Sequence, residues 1–540
     1  AVSYGGRLEL FGRRGVAPNT VDPTLRAAEP TCGAPGADVL SAEATGSSWA
    51  RLAAPVGPGT TRLELDHAVD WAAGDRVVLS TTDWYPSHSE VVTVASNVDG
   101  VITLQAPPRF EHRGTVFTMP AQAMAGTGNP NTAVDTRGAA GLLTRSITIR
   151  SLGRSAEEPF PEAGACGLDA DDPGCYFGGH VIVRQGFGAF HAQGVAFHQL
   201  GQGGRMGHYP VHFHLDKSTR YTNAFLLDSA ITESHNRFVV IHGSHDLTLA
   251  RNVGYLSVGH GFFLEDGSEI NNLLCHNLGI SARGALEEYY AAQPSDSPTH
   301  RAIPPILDKI QGGTGTAGSD AYMPVMFWIM NAYNEFVGNK AVGVMGAGSC
   351  YWLLGSSVSG MSAPTGMEGM TGMEGMAAIR WTSGTHTVQD YAAFNRAGAR
   401  QAPLKRFRGN SCSTAAYALQ TTIDVEPTQP QNTGFTALIN PYLQVRDIMR
   451  PVISGNFNPT RVDDPALVGL PGRPEPNCRQ GIPTGDSWAL NGPSCSGTII
   501  DRFTTSFNWA EVGFGSVWLR PWWYVFVNSA ISDQLFGGLG

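Results

Sequence analysis

Short β-type runs separated by Asn and Gly recur along this chain from about Leu143, and this repeat limits the choice of fold. Aligning SHNRFVVIHGSH with SVGHGFFLEDGSE, which begin at Ser234 and Ser257, gives a step of 23 residues. A step of this length fits one coil of a parallel β-helix, in which each coil buries its strands only by stacking on its neighbours. We therefore predict an all-β protein built on a right-handed parallel β-helix.

The same alignment predicts which side chains lie above one another. His242 falls over Glu265 at the 23-residue step, and His214 falls under His242 at a step of 28 residues, a coil lengthened by a loop. Asparagines recur near the presumed corners, where Asn tolerates a left-handed backbone and can form side-chain ladders. These residues are Asn236, Asn252, Asn271, Asn277 and Asn339.

The chain divides into three predicted parts. Residues 60–119 alternate apolar and polar positions, with a hairpin turn at Asn97–Gly100, and they predict a small inserted β-module. Residues 1–59 would hold N-terminal strands and a loop, and residues 120–540 would form the β-helix. Insertions at about 283–323 and 357–377 interrupt the coils, and long loops of this kind are often functional, so we expect them to line a cleft.

The composition agrees with this class and excludes others. The 66 Gly and 34 Pro, with 15% charged residues, are typical of a turn-rich β protein. The net charge of −10 and the lack of a Lys/Arg run argue against binding to nucleic acid or to an anionic membrane. No apolar run of membrane-spanning length occurs, so no transmembrane segment is predicted, and the strand-like opening YGGRLELFG predicts a processed product. The oligomeric state is left open.

Eight cysteines form an even set without a CxxC motif, which favours disulfides over a zinc ribbon or a redox motif. Cys166 with Cys175, and Cys478 with Cys495, enclose short loops of the kind that secreted proteins cross-link. The cysteine pattern predicts a secreted, extracytoplasmic protein.

The stretch YPVHFHLDKS predicts a strand with two different faces. Alternate side chains share a face, so Val211, Phe213 and Leu215 would point into the β-helix and His212, His214 and Asp216 would point out. His242 and Glu265 would point outward on the next two coils. A His-x-His pair with a third His about 4.8 Å away suits a divalent transition metal, zinc or copper, with calcium as an alternative ion.

The same residues also allow acid–base chemistry without a metal, since clustering pushes pKa values apart. The candidate catalytic residues are Glu265, Asp266, Asp216 and His260. The candidate residues for binding a sugar carboxylate are Arg205, Lys217 and Arg237. The alternative is that each of these candidates is an ordinary surface residue, and that His260 is a structural residue at a corner of the coil.

Two further patterns have competing interpretations. Methionines recur in MSAPTGMEGMTGMEGM, which indicates either an apolar flap or copper(I) ligands. The segment VWLRPWWYVFV clusters Trp518, Trp522, Trp523 and Tyr524, which indicates either core packing or stacking on sugars.

Several of these segments resemble a known family. GDRVVLSTTDWYPSHSEVVTV, YPVHFHLDKS, RFVVIHGSHDLTLARNVGYLSVGHGFFLEDGSE and NNLLCHNLGI are similar to the β-helix region of the cell-migration-inducing and transmembrane hyaluronidases and the fibrocystin-like proteins. The opening YGGRLELFG resembles the end of the glycine-rich domain that precedes this region. The resemblance, from about Tyr4 to Ile280, implies an extracellular β-helix that acts on hyaluronan or a similar acidic polysaccharide. The residues that stand in matching motifs, and to which the resemblance extends a role in the site, are His212, His214, Asp216, His242, His260, Glu265 and Asp266.

The sequence thus favours a secreted depolymerase of an acidic polysaccharide, a hydrolase whose histidines hold a metal or contact substrate. Cleavage by elimination is an alternative that the same residues could support. Two other classes stay open: a non-catalytic β-helix that binds glycans in adhesion, and a copper-dependent oxidoreductase.

Overall fold

The predicted parallel β-helix is confirmed. A computed structural model describes residues 1–16, 47–118, 133–151, 178–203, 207–218, 224–265, 269–284, 324–331, 334–346, 348–353, 406–421, 498–501, 504–508, 517–519, 524–527 and 530–531. Within them the chain is all-β, apart from a 3-10 turn at Pro86–His88, and no helix is long and apolar enough to cross a membrane. Three parallel sheets run along the β-helix, and each coil contributes one strand to each of them in turn.

Sheet 1 has nine strands in spatial order, each paired in parallel with the next. They are β1 (Arg7–Phe11), β12 (Ala189–Gln193), β15 (Ala224–Leu227), β18 (Thr248–Ala250), β21 (Leu273–Cys275), β24 (Glu335–Val337), β27 (Arg406–Arg408), β30 (Thr498–Asp501) and β33 (Tyr524–Val527). Sheet 2 also has nine strands. They are β10 (Ile147–Arg150), β13 (Val195–His198), β16 (Ala230–Ser234), β19 (Val253–Val258), β22 (Leu278–Arg283), β25 (Lys340–Val342), β28 (Ser411–Ala415), β31 (Thr504–Asn508) and β34 (Ala530–Ile531).

Sheet 3 has eight strands and carries the predicted site. They are β11 (Val181–Arg184), β14 (Val211–Ser218), β17 (Val239–His245), β20 (Phe262–Leu264), β23 (Val325–Ile329), β26 (Ser349–Leu353), β29 (Tyr417–Thr421) and β32 (Val517–Leu519). Side chains from all three sheets fill one continuous apolar core, and on sheet 3 these include Val211, Phe213, Val239, Ile241 and Phe262. The alternation in the sequence predicted these inward positions.

The N-terminal strand belongs to the β-helix. β1 pairs in parallel with β12, Arg7 opposite Ala189, and Val2 bridges to Val183. The sequence assigned residues 1–59 to N-terminal strands at the end of a glycine-rich domain, and in the structure this strand is the first strand of sheet 1. Its alternation of half-buried and exposed residues suits any sheet edge, so its partner could be identified only from the structure.

The β-module is inserted within the first coil, between β1 and β10. Its antiparallel sheet has six strands. They are β2 (Trp49–Arg51), β9 (Ala139–Leu142), β4 (Arg76–Leu79), β5 (Glu90–Val98), β6 (Val101–Leu104) and β3 (Arg62–Leu63), and a separate hairpin pairs β7 (Phe117–Thr118) with β8 (Ala133–Val134). The module extends beyond the predicted 60–119 at both ends. The hairpin turn predicted at Asn97–Gly100 joins β5 to β6, with Asp99 and Gly100 both at positive φ.

The β-module packs against the outer side of sheet 2. Trp49 and Val78 of the module share an apolar cluster with Val253, Leu278 and Val342 of the β-helix. The indole N–H of Trp49 donates a hydrogen bond to the carbonyl of His276 at 2.7 Å. The module is therefore fixed to the β-helix by buried contacts rather than by the chain alone.

A group of charged residues is buried in this contact. Asp135 accepts contacts from Arg51 at 3.2 Å and from Arg137 at 2.8 Å, and these guanidinium groups hold the pKa of its carboxyl well below the usual range against the opposing effect of burial. Lys340 of β25 is fully buried beside them. Burial, followed by repulsion from Arg51, lowers the pKa of the Lys340 amine to about 7.

An asparagine ladder joins sheets 1 and 2 along the β-helix. The side-chain oxygen of each Asn accepts the backbone N–H of the Asn one coil earlier, as Asn277 does for Asn252 at 3.1 Å and Asn339 does for Asn277 at 3.0 Å. Asn410 continues the ladder. The predicted ladder is confirmed for Asn252, Asn277 and Asn339, whereas Asn236 and Asn271 lie outside it.

A disulfide between Cys350 and Cys412 joins strands of sheets 3 and 2 across a sequence separation of 62 residues. The sequence did not indicate this pair. The two pairs predicted from short loops, Cys166 with Cys175 and Cys478 with Cys495, lie outside the described residues.

We predict that Asn277→Leu lowers the free energy of unfolding by roughly 3 to 5 kcal/mol, because it leaves the N–H of Asn252 and the carbonyl of Leu249 buried without partners. Chemical denaturation would measure the loss. The control Asn236→Leu removes one half-buried bond to the Gln202 carbonyl and should cost about 1 kcal/mol. Equal costs for the two variants would contradict the importance of the ladder.

We predict that Lys340→Met stabilises the protein, and that the gain depends on pH. Below pH 7 the lysine is charged in both the folded and the unfolded states, and its burial costs the folded state a few kcal/mol. Between about pH 7 and 10.5 the folded state has released this proton and the unfolded state still binds it, so the wild-type protein becomes more stable relative to the variant as pH rises. Thermal melts at pH 6, 8 and 10 would test this, and a pH-independent gain would contradict it.

Candidate metal and catalytic site

Strands β14 and β17 bring three histidines together on the side of sheet 3 that faces away from the core. His214 pairs directly with His242, as the sequence predicted. Phe213 and Ile241 point into the core beside them, so alternation sends the histidines to the opposite side. His212 lies two residues before His214 on this same side.

The three imidazoles are close enough to share one ion. A ring nitrogen of each lies within 4.8 Å of a ring nitrogen of the others. The ring centroids of His212 and His214 are 4.7 Å apart, and those of His214 and His242 are 5.0 Å apart. Among the residues that the structure describes, this is the one group of His, Cys, Asp or Glu with such an arrangement.

The protonation state of His212 suits a metal ligand. Its Nδ1 lies 3.0 Å from the carbonyl of Gly207, which can only accept, so Nδ1 carries the proton and Nε2 presents its lone pair. This buried Nε2 has no hydrogen-bond partner. Burial, with further contributions from His214 and His242, lowers the pKa of His212 well below its usual value and keeps the ring neutral. An imidazole in this state can bind a cation.

A β-bulge follows the histidines and corrects one sequence prediction. Leu215 and Asp216 together face Gly243 of β17, and the pairing resumes at Lys217 with Ser244. Leu215 adopts a φ of +53° and is only half-buried, so the prediction that it points into the core is wrong. An extra residue in one strand shifts the alternation, and nothing in the apolar pattern of β14 indicates it.

The bulge places Asp216 in a buried position. It is 7% exposed, and burial raises the pKa of its carboxyl well above the usual range, with the Ser244 hydroxyl and His242 offsetting only part of this effect. Burial therefore favours the protonated form of Asp216 relative to a carboxyl in water.

Glu265 follows β20 and lies beside His242. Its backbone N–H donates to the carbonyl of Ile241, which continues the register and places Glu265 next to His242 as predicted. Its carboxylate oxygen lies 3.8 Å from Nδ1 of His242. Its side chain is 14% exposed, so it is more open to solvent than His212 and His242, each at 1%.

His260 and Arg237 lie in an adjoining aromatic cluster. Nδ1 of His260 accepts the backbone N–H of Val325, and its ring packs against Phe263 and Trp328. Arg237 is buried, with its guanidinium 3.6 Å from the centroid of the Phe263 ring. These positions indicate packing roles, whereas the sequence suggested catalysis for His260 and substrate contact for Arg237.

Other candidates cannot be placed. Arg205 and Asp266, the Met-rich segment at 357–377, and Trp522 and Trp523 lie outside the described residues, as does the side chain of Lys217. Two residues that the sequence reasoning missed contribute to the site. Gly207 supplies the carbonyl that orients His212, and Tyr209 places its ring 4.9 Å from that of His212. Both belong to a loop, where strand periodicity gives no signal.

Comparison with known proteins confirms the resemblance predicted from the sequence. Residues 176–418 match the family model named CEMIP beta-helix. The chain is 30% identical to human cell surface hyaluronidase CEMIP2 over 53% of its length, and 29% identical to the cell surface hyaluronidase of Danio rerio over 54%. It is 31% identical to human fibrocystin-L over 47%.

The matched region is a small part of these relatives. It covers 20% of each of the two hyaluronidases and 7% of fibrocystin-L. The match to the family model, residues 176–418, contains all three histidines and ends before the last coils of the β-helix.

We predict that the purified protein, incubated with zinc and dialysed, retains about one equivalent of metal, and that His242→Ala reduces the retained metal by about tenfold or more. The control His198→Gln changes a histidine that is also buried on the outer side of its sheet, but in sheet 2, and should retain the metal. Metal analysis by mass spectrometry would measure both. A wild-type protein that holds no metal would contradict the site.

Proposed function

We infer from the CEMIP-type β-helix at residues 176–418 and from its histidine cluster that this protein depolymerises an acidic polysaccharide similar to hyaluronan. The reaction proposed is hydrolysis of a glycosidic bond, assisted by a divalent metal. The names of the relatives support the substrate class, since two of them are cell surface hyaluronidases. The observation that carries the proposal is the convergence of three histidines, the buried Asp216 and Glu265 at one place on sheet 3.

Asp216 is proposed as the general acid. Burial raises the pKa of this carboxyl, and a raised pKa is what a group needs that donates its proton to the departing sugar oxygen. Ser244 and His242 lie against this carboxyl and stabilise the anion that forms when the proton leaves.

Glu265 is proposed as the general base that takes a proton from the attacking water. Its side chain is the part of this group that solvent reaches most readily, and it lies beside His242. The two carboxyl groups then have opposite tasks, as in other glycoside hydrolases.

The three histidines are proposed to hold the metal. The Gly207 carbonyl already sets Nε2 of His212 as a donor of its lone pair, and one ring nitrogen each of His214 and His242 would supply two further ligand atoms. A divalent ion there would supply Lewis-acid assistance to the bond under attack. Zinc fits three imidazoles, and copper is the alternative that metal analysis would distinguish.

We further propose that the protein acts outside the cytoplasm. The buried disulfide between Cys350 and Cys412 supports an oxidising compartment. A polysaccharide such as hyaluronan is encountered in the same setting.

We predict that the zinc-loaded protein shortens hyaluronan, and that Glu265→Gln lowers the rate by about a hundredfold or more, since the amide cannot take a proton. Asp216→Asn should lower it similarly. Gel electrophoresis of the polymer would measure chain length. New reducing ends without absorbance from unsaturated uronates would establish hydrolysis, whereas that absorbance would establish elimination.

His198→Gln again provides the control, because it lies on sheet 2 and should leave the rate unchanged. Binding of hyaluronan without any shortening by the wild-type protein would refute catalysis and favour a non-catalytic glycan-binding β-helix.

A further inference from the structure

Four arginines lie where the β-module meets sheet 2. Arg76 of β4 places its guanidinium 3.6 Å from the carboxylate of Glu233 on β16, so it spans the two parts of the protein. Arg76, Arg109 and Arg283 all act electrostatically on the phenol of Tyr255 in β19. These three arginines of the β-module and sheet 2 therefore share one region around Tyr255.

The fourth arginine extends this region toward the first coil. Arg150 at the end of β10 is opposite His198, and it acts on that histidine together with Arg76. Arg150 is exposed, and Arg76 is 42% exposed. The region brings four guanidinium groups together on a chain of net charge −10, and Glu233 and Glu90 each lie 3.6 Å from one of them.

An aromatic stack adjoins the arginines on the β-module. The rings of His88 and Phe110 are stacked with centroids 3.9 Å apart, and Tyr85 lies 4.8 Å from His88 on the other side. The guanidinium of Arg109 lies 5.2 Å from the Phe110 centroid. Three rings and a cation thus form one continuous surface.

Partly buried hydrogen bonds fix this surface in place. The carboxylate of Glu90 accepts the backbone N–H groups of Arg109 at 3.0 Å and of Phe110 at 2.8 Å. His88 lies 2.6 Å from the carboxylate of Asp83, whose carbonyl accepts a hydrogen bond from Thr414 of the β-helix. The surface is therefore preorganised and tied to β28.

The side chains of this surface that could contact a ligand nevertheless face solvent. Tyr85 is 60% exposed, and the side chain of Arg109 is 76% exposed. The exposed ring of Tyr85 beside His88 adds little to the packing of the β-module, because most of it faces solvent. Such an arrangement is typical of a recognition surface.

We propose that this surface, the arginine–aromatic face formed by Arg76, Tyr85, His88, Arg109 and Phe110, binds a uronate-bearing polysaccharide at a place separate from the histidine cluster. The proposal rests on the proposed function for its substrate class. Aromatic rings stack on the apolar face of a sugar, and guanidinium groups pair with its carboxylate through two parallel hydrogen bonds. A uronate-bearing polysaccharide presents both apolar sugar faces and carboxylates, so a surface that binds it needs both aromatic rings and guanidinium groups.

The face would raise affinity for long chains without taking part in bond cleavage. A polymer bound there and at the histidine cluster is held at two places, so release from one leaves it tethered at the other. A short oligosaccharide reaches one place only and gains nothing. The face would therefore raise the affinity of the protein for long chains but not for short oligosaccharides.

The test uses the full chain carrying Glu265→Gln, so that binding is measured without cleavage. Adding Tyr85→Ala and Arg109→Gln should raise the Kd for long hyaluronan by about tenfold or more, measured by isothermal titration calorimetry. The pair Tyr4→Ala and Arg7→Gln is the matched control, because Tyr4 is 89% exposed and Arg7 lies on β1 of sheet 1. The control should leave Kd unchanged, and thermal melts would show that all variants are folded.

Two further measurements distinguish the proposals. Carboxyl-reduced hyaluronan should bind the face weakly, and single-stranded DNA should not compete. An unchanged Kd in the Tyr85 and Arg109 variant, or equal competition by DNA, would overturn the face while leaving cleavage by the wild-type protein intact. If the wild-type protein cleaves nothing, the proposed function fails, and the change in Kd still supports the face.

Discussion

Every coil of this protein depends on the next one for its backbone hydrogen bonds. Parallel strands in the three sheets have their partners one coil away, and no coil can satisfy its N–H and carbonyl groups alone. The corners pose the same problem, because the chain turns there while it is buried. The asparagine ladder solves it, since each Asn bonds to the backbone of the coil before it. Stacking therefore fixes the register of side chains as well as the backbone.

The candidate site follows from that register. His214, His242 and Glu265 occupy equivalent positions on three successive coils, so strand spacing alone brings them together. The bulge then adds a group that regular stacking would not supply. By opposing two residues to Gly243, whose φ is +56°, it turns Asp216 into a buried position against Ser244 and His242. A regular fold thus positions the histidines, and an irregularity positions the acid.

Much of this was predictable from the sequence, because it depends on periodicity. The 23-residue step placed His242 over Glu265, and alternation separated Phe213 from His214. The features that the sequence did not predict do not depend on periodicity. The bulge at Leu215, the pairing of β1 with sheet 1, and the link between Cys350 and Cys412 all depend on contacts between distant segments. Arg237 shows a further limit of sequence-based prediction, because its charge suggested an exposed position. In the structure its guanidinium is buried against the rings of Tyr209 and Phe263, which take the place of water around the charge.

The exposure of the site residues indicates the side from which a substrate approaches. His212 and His242 are each 1% exposed and Asp216 is 7% exposed, whereas the side chain of Glu265 is 14% exposed. Glu265 is therefore the most accessible of these candidate residues, and a substrate of the proposed kind would reach it before His242. The low exposure behind Glu265 also raises the pKa of Asp216, because burial disfavours the charged form of its carboxyl. Burial of the histidines and the raised pKa of Asp216 are thus two effects of one cause, the exclusion of water from the outer side of sheet 3.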